Sequence, residues 1–452
     1  MTDLIIRPAT RPLQGVVPVP SDKSISHRAL MLGALSTGRS SVVATLGDDN
    51  RSTAAALRSI GIVVEQASRN ELVIHGAGLD GLSAPVQAID CGNSGTTMRL
   101  LCGILVAQRF ASRLIGDTSL SRRPMGRVAK PLRLRGANIE GHIDPKRPGE
   151  IHPPIEIGAL LEARMLSGIE YEMPMASAQV KSALLLSGLF ADGPTYVHEP
   201  HLSRDHTERM LAALGVPVRT IGPMVEVDPT SWSRQLPAFD LTVPGDLSSA
   251  AFLIAAAQLV AGSEVGVRNV GLNPTRTGFF DALRDMGGVY QAEAKGEVLG
   301  EPVGDIFARS AHLRGFQLGG EGVARSIDEL PILMALAARA RGVTRIVDAS
   351  ELRVKETDRI SAMVMTLRGF GIACEEAPDG IAIEGKPEGP LDAAVVDSRG
   401  DHRVAMTASV LGLIASGPVR ILDVDCIQTS FPRFVGTMRA LGGDIDVVEG
   451  KS

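Results

Sequence analysis

The sequence predicts an α/β chain folded as two domains, each assembled from three similar units. Three observations lead there. At 452 residues the chain exceeds the usual single-domain size, so two domains are the starting expectation. One pattern of paired helices recurs six times along it. Between the helices lie short segments with β-forming composition, such as ELVIHG (71–76) and IAIEG (381–385).

The first helix of each pair opens on small or charged polar residues and continues as a nearly unbroken apolar run. In chain order these are SDKSISHRALMLGALSTG from Ser21, NSGTTMRLLCGILVA from Asn93 and SAQVKSALLLSGLFADG from Ser177. DLSSAAFLIAAAQLVAG from Asp246, DELPILMALAARARG from Asp328 and DHRVAMTASVLGLIASG from Asp401 complete the series. A helix apolar nearly all round is a buried one. Ser21, Asp246 and Asp401 stand where N-caps are expected.

The second helix ends in Leu or Met, three residues and a glycine. The six glycines are Gly61, Gly136, Gly215, Gly287, Gly371 and Gly442. Each reads as the left-handed stop of an amphipathic helix. They follow their partner's start by 38 to 43 residues, an offset too constant for coincidence. Units of roughly 70–85 residues result. A linear solenoid is the alternative for repeats, but these first helices are too apolar to face solvent. Pro20 and Pro244 lie in similar contexts, VPVPSDKS and LTVPGDLSS, and mark two chain crossings. The expected domains are 20–242, and 1–19 together with 243–452.

Composition narrows the function. Hydrophobic residues make up 44% and charged residues 21%, the balance of a soluble globular protein. A net charge of −5 argues against general nucleic-acid binding. Four scattered cysteines without CxxC spacing indicate neither disulfides nor zinc, and no metal site is expected. The opening MTDLIIRPATRPLQG lacks a signal-peptide pattern, and no apolar run reaches the roughly 20 residues of a bilayer span. A cytoplasmic protein without membrane contact is expected.

Why should GNSGTTMRL, at 92–100, crowd Asn93, Ser94, Thr96 and Thr97 around Gly95 when one cap suffices? Converging helix N-termini bring together positive dipole ends and unpaired N–H groups, which attract phosphates and carboxylates. Cations gather at the same starts: Lys23, Arg28, Arg99, Lys181 and Arg403. SLSRRPMGR adds Arg122, Arg123 and Arg127, and ELRVKETDR adds Arg353, Lys355 and Arg359. In a net-acidic chain this is a focused cleft for an anionic substrate. Blander readings stand beside it: KETDR as an exposed charged helix face, the 122–127 arginines as a solvated loop, and His27, His206 and His402 as structural histidines. P-loop, serine-hydrolase and dinucleotide patterns are absent, so no cofactor is expected.

Taken together, PSDKSISHRAL, GNSGTTMRL, SLSRRPMGR, SAQVKSALL, RVKETDR and GDHRVAM resemble the enolpyruvyl transferase family, from about residue 10 to 445. The resemblance implies a two-domain inside-out α/β barrel: six βαβαββ-type units, three per domain, around buried parallel helices. The active site would lie in the interdomain cleft of a monomer. The implied reaction joins phosphoenolpyruvate to the 5-hydroxyl of shikimate 3-phosphate and releases phosphate, a step toward chorismate and aromatic amino acids. Catalysis would rest on Asp328, in SIDELP, as proton acceptor for the attacking hydroxyl, with Glu356 moving the proton at the methylene carbon and Lys23 assisting.

Shikimate 3-phosphate would be held by Lys23, Ser24, Arg28, Ser177, Ala178, Gln179, Ser203, Asp328 and Lys355. Phosphoenolpyruvate would meet Lys23, Asn93, Gly95, Arg123, Gln179, Arg359, His402 and Arg403. Gly95 would leave room for that ligand, or for the inhibitor glyphosate. Three positions depart from many members: Thr429 before SFPRF, His206 after Ser203, and Glu351 before RVKETDR. The patterns Arg204–His206–Glu208, Ser177–Lys181 and Asn273–Arg276 resemble the family's second subclass. The sister family, which uses UDP-N-acetylglucosamine, carries a reactive cysteine where this chain has Thr118.

Overall fold

The computed structural model describes residues 2–144, 149–161 and 164–450. They divide into two compact units. One comprises Ser21–Val243 with Glu297–Glu301, and the other Met1–Pro20, Pro244–Gly296 and Pro302–Ser452. Each has its own apolar core. The result is a mixed α/β architecture, with thirteen α-helices among the described residues.

Among the described residues there are six sheets built on one four-strand order, one of them with a fifth strand beside it. In the 21–243 unit, Ile169–Glu172 runs parallel to Thr195–His198, which pairs antiparallel with Met224–Val227 and through it with Val218–Ile221. In the other unit, Val395–Asp397 runs parallel to Val419–Leu422, followed by antiparallel Thr2–Arg7 and Asp444–Glu449. The N-terminal strand is thus an inner strand of a sheet closed by the C-terminal one.

The six apolar segments form helices over Lys23–Leu35, Gly95–Leu105, Ala178–Gly188, Leu247–Leu259, Leu330–Ala337 and His402–Gly412. Leu247–Leu259 has twelve of its thirteen residues buried, without a charged side chain. Full burial of residues such as Phe252, Leu253 and Ile254 contributes roughly 1.5–3 kcal/mol each. The amphipathic partners end as their sequence dictates. All six stop glycines have positive φ, from 76° at Gly371 to 105° at Gly442.

The caps differ in one place from the sequence expectation. Asp22, not Ser21, caps the first buried helix, its Oδ1 accepting the Ile25 N–H at 2.9 Å. The Ser21 hydroxyl instead accepts the Thr45 N–H, tying the helix entry to a neighbouring loop. Asp328 lies one residue too early to cap Leu330–Ala337, which has Glu329 at its N-cap without a side-chain bond. Asp246 and Asp401 cap as expected, accepting from Ser248 and Arg403 at 2.8 Å.

One glycine sets a helix spacing that matters below. A Cβ on Gly103 would lie 2.3 Å from the Ala183 carbonyl oxygen and 2.8 Å from its Cα. Only hydrogen fits, so Gly95–Leu105 and Ala178–Gly188 lie backbone to backbone. Their first turns are thereby brought side by side.

Candidate active site

The 21–243 unit holds Lys23, Ser24, Arg28, Asn93, Gly95, Arg123, Ser177, Ala178, Gln179 and Ser203. Close packing at Gly103 lets Gln179 reach across to the neighbouring helix. Its Oε1 accepts from Arg99 Nη1 at 2.6 Å, and its Nε2 donates to Thr96 Oγ1 at 2.9 Å. Arg123 Nη2 donates to Asn93 Oδ1 at 2.6 Å, so Arg123 is held by a partner and is no free loop cation. A Cβ on Gly95 would come within 2.8 Å of Arg99 Nη1 and 3.4 Å of Arg123 Nη1. Gly95 is therefore the bare floor beneath two guanidinium groups.

The surplus of hydroxyls at 92–100 has a structural use as well. Ser94 caps its helix through the Thr97 N–H, and its Oγ accepts from Thr97 Oγ1 at 2.7 Å. Thr97 bonds Thr53 at 2.6 Å, and Thr53 bonds His27 Nδ1 at 2.6 Å. Burial lowers His27 to about 3, so it is a neutral core histidine. This chain supports Asp49, whose carboxylate pairs with Lys23 Nζ at 3.0 Å. Asp49 was not among the sequence candidates, since nothing in DDNRS distinguishes it from an ordinary first-turn acid.

Arg28 is 4% exposed. It donates to Thr207 Oγ1 and Ser182 Oγ, each at 2.6 Å, and to the Ser24 carbonyl oxygen. Burial lowers its guanidinium to about 10, with the Glu208 charge opposing that shift and Arg204 reinforcing it. Arg204 is thus a second cation at this position that sequence reasoning left in a pattern without a role. Lys181 requires a correction. It is no free cation at a helix start, because Glu199 and Glu208 enclose its ammonium. Burial alone would lower Lys181, and the two carboxylates outweigh it and keep the group charged. Ser203 presents a buried hydroxyl without a hydrogen-bond partner.

The other unit holds Asp328, Lys355, Glu356, Arg359, His402 and Arg403. KETDR is not a helix face. Its first four residues precede the Arg359–Gly369 helix, Asp358 caps that helix, and Arg359 is 1% exposed. Arg359 gathers three carboxylates: Asp401 at 2.8 Å, Glu356 at 2.5 Å and Asp328 at 3.6 Å. Burial would lower this guanidinium, but the three acids together raise it above its ordinary value. Its Nη1 is buried and makes no hydrogen bond, leaving one donor for an anionic ligand.

Arg403 Nη1 donates to the Asp328 main-chain oxygen at 2.6 Å, while its Nη2 stands 3.8 Å from the carboxylate. Burial lowers the Lys355 ammonium, against the pull of Asp328. His402 occupies the first turn beside Arg403. Arg276, of the Asn273–Arg276 pattern, is buried against Ser248 at 2.6 Å and Glu329 at 3.6 Å, next to Asp328 in the chain. Among the described residues no cluster of His, Cys, Asp or Glu could hold a metal ion, and no helix is long and apolar enough to cross a membrane.

Each unit therefore presents guanidinium and ammonium groups among neighbouring polar groups, and the second also brings three carboxylates to one arginine. Such an arrangement can bind anions and move protons. The family model described as EPSP synthase (3-phosphoshikimate 1-carboxyvinyltransferase) matches residues 8–438. A 3-phosphoshikimate 1-carboxyvinyltransferase of Geobacter sulfurreducens is 49% identical over 439 residues, 97% of this chain and 99% of that one. One of Xanthomonas euvesicatoria is 48% identical, covering 93% of each. A solved EPSP synthase structure from Acinetobacter baumannii superposes with a TM-score of 0.88 at 42% identity, over 99% of this chain and 100% of that one. At these identities and coverages, the chain belongs to the EPSP synthase family of 3-phosphoshikimate 1-carboxyvinyltransferases.

Proposed function

We propose that the protein transfers the enolpyruvyl group of phosphoenolpyruvate to the 5-hydroxyl of shikimate 3-phosphate, in the route to chorismate. The observation that carries the chemistry is Arg359 holding both Glu356 and Asp328. Addition needs one group to accept the hydroxyl proton and another to give a proton to the methylene carbon. Asp328 takes the first role and Glu356 the second. The hydroxyl oxygen bonds to the enol carbon, and the methylene becomes a methyl group. Elimination then breaks the carbon–oxygen bond to phosphate and removes one methyl proton, regenerating the enol ether.

The cations serve the ligands' charges. Arg359, through the Nη1 that makes no hydrogen bond, and Arg403 take the phosphoenolpyruvate carboxylate, with His402 beside them. Arg123, Gln179 and Lys23 take its phosphate over the floor formed by Asn93 and Gly95. Ser177, the Ala178 N–H, Ser203, Ser24, Arg28 and Lys355 hold shikimate 3-phosphate. Six units in two inside-out barrels, a monomeric state, a cytoplasmic location and inhibition by glyphosate complete the reading. No cofactor enters it.

Phosphate release from phosphoenolpyruvate, measured with shikimate 3-phosphate or UDP-N-acetylglucosamine as acceptor, tests this reading. Release with shikimate 3-phosphate alone, abolished in Asp328→Ala, is the expected result. Release only with the sugar nucleotide would overturn it in favour of the sister reaction, despite Thr118 in place of a cysteine.

A further inference from the structure

The Ser177–Lys181 and Arg204–Glu208 patterns meet in a buried ion cluster that the reaction itself does not use. The Lys181 side chain is 2% exposed, Glu199 1% and Glu208 4%. Lys181 Nζ lies 2.7 Å from Glu208 Oε1 and against Glu199 Oε1. It also donates to the Ser203 main-chain oxygen at 3.3 Å. The second oxygen of Glu199 accepts the Ser203 N–H at 2.9 Å. Both main-chain polar groups of Ser203 are thus held by one cluster, while its hydroxyl is buried with no partner.

Burying one ammonium and two carboxylates is expensive, and an apolar trio of similar volume would hold a loop as firmly. What an apolar trio lacks is direction. An ammonium and a carboxylate acting on the two ends of one residue fix its peptide planes, and hence where its side chain points. We propose that Lys181, with Glu199 and Glu208, is a positioning residue that aims the Ser203 hydroxyl at the phosphate of shikimate 3-phosphate. The inference rests on the functional reading above, which places that phosphate at Ser203. Lys181 touches no substrate; it acts through Ser203. A hydroxyl misaimed by about 1 Å loses most of its value to a bound phosphate.

The test is steady-state kinetics on the full chain for Lys181→Met, Ser203→Ala and the double variant, with calorimetric titration of shikimate 3-phosphate. Lys181→Met should raise the KM for shikimate 3-phosphate about 10- to 100-fold. The KM for phosphoenolpyruvate should stay within about twofold, because Gln179, on the same helix, is held by Arg99 and Thr96 and not by this cluster. On the Ser203→Ala background, Lys181→Met should add about twofold at most, since the group it aims is gone. Equal effects on both substrates, or full additivity in the double variant, would overturn the proposal and leave the cluster a stabilising element. Should Lys181→Met not fold, Glu199→Gln carries the test, with the same selective rise expected and an even rise for both substrates sinking it. If the unaltered chain neither binds nor consumes shikimate 3-phosphate, the functional reading falls first and this inference with it.

Discussion

Arg359 Nε meets Asp401 Oδ2 at 2.8 Å, with the two side chains 1% and 0% exposed. The same Asp401 caps the His402–Gly412 helix through its other oxygen. One carboxylate therefore fixes both the orientation of an arginine and the start of the helix that carries His402 and Arg403. Removing Arg359 leaves Asp401 buried and uncompensated, which costs about 3–5 kcal/mol. Arg359→Ala should lower the urea midpoint accordingly and abolish turnover. Arg359→Met with Asp401→Leu should recover much of the stability and none of the activity. An unchanged midpoint in Arg359→Ala would show that Asp401 is solvated after all.

Gly103 makes the second case, because a fold contact lies behind a site contact. An alanine there must push two helices apart by the overlap of its Cβ with Ala183. Overpacking of this kind costs about 1–3 kcal/mol. The same displacement draws Gln179 away from Arg99 and Thr96. Gly103→Ala should therefore melt earlier and show a raised KM for phosphoenolpyruvate. A loss of stability with both KM values unchanged would separate the packing from the site.

Gly95→Ala tests the floor directly. Its Cβ displaces Arg99 Nη1 from a position where that atom bonds Gln179. Loss of a charge-assisted hydrogen bond is worth about 1.5–3 kcal/mol, so the KM for phosphoenolpyruvate should rise about 10- to 100-fold. Glyphosate, if it uses the same floor, should weaken in parallel. Unaltered kinetics in this variant would mean the ligand lies elsewhere.

These contacts divide into those the sequence displays and those it hides. The paired helices were legible because burial and the αL stop each leave a local signature, repeated six times. Asp328, Glu356 and Arg359 were legible as motif residues. Hidden was the use to which each charge is put. Lys181 and Arg28 read as open cations, yet Glu199 and Glu208 close over the first, while the second is buried on Ser182 and Thr207. Those partners are separated from the cations by up to 179 residues, and no spacing rule reports them. Asp49 and Glu301 were missed for the same reason. Glu301 pairs with His206 at 2.8 Å from a strand 95 residues away.

The four cysteines are free thiols, with Cys91 and Cys102 fully buried. Burial pushes Cys91 well up and Cys102 and Cys426 up to about 12, and it also raises Cys374. Since the thiolate is the reactive form, folded protein at neutral pH should react slowly with a disulfide reagent. Cys374 and Cys426, which retain some exposure, should precede the other two. All four should titrate at once in denaturant. Rapid reaction of Cys102 in the folded state would contradict its burial.

His27 gives the chain a pH dependence whose sign follows from its environment. Buried on Thr53, it stays neutral down to about 3 when folded, whereas in the unfolded chain it titrates near the ordinary imidazole value of 6.5. The unfolded state therefore binds the extra proton between these values. His27's contribution is fully present above about pH 6.5 and is lost progressively as the pH falls toward 3. At pH 4.5 the loss amounts to about 2–3 kcal/mol. His27→Asn, which keeps a polar group opposite Thr53 but cannot titrate, starts less stable at pH 7.5 through lost packing. Its stability should nevertheless decline less steeply than the parent's between pH 7.5 and 4.5. Parallel curves of urea midpoint against pH would show that the folded protein accommodates an imidazolium at this position.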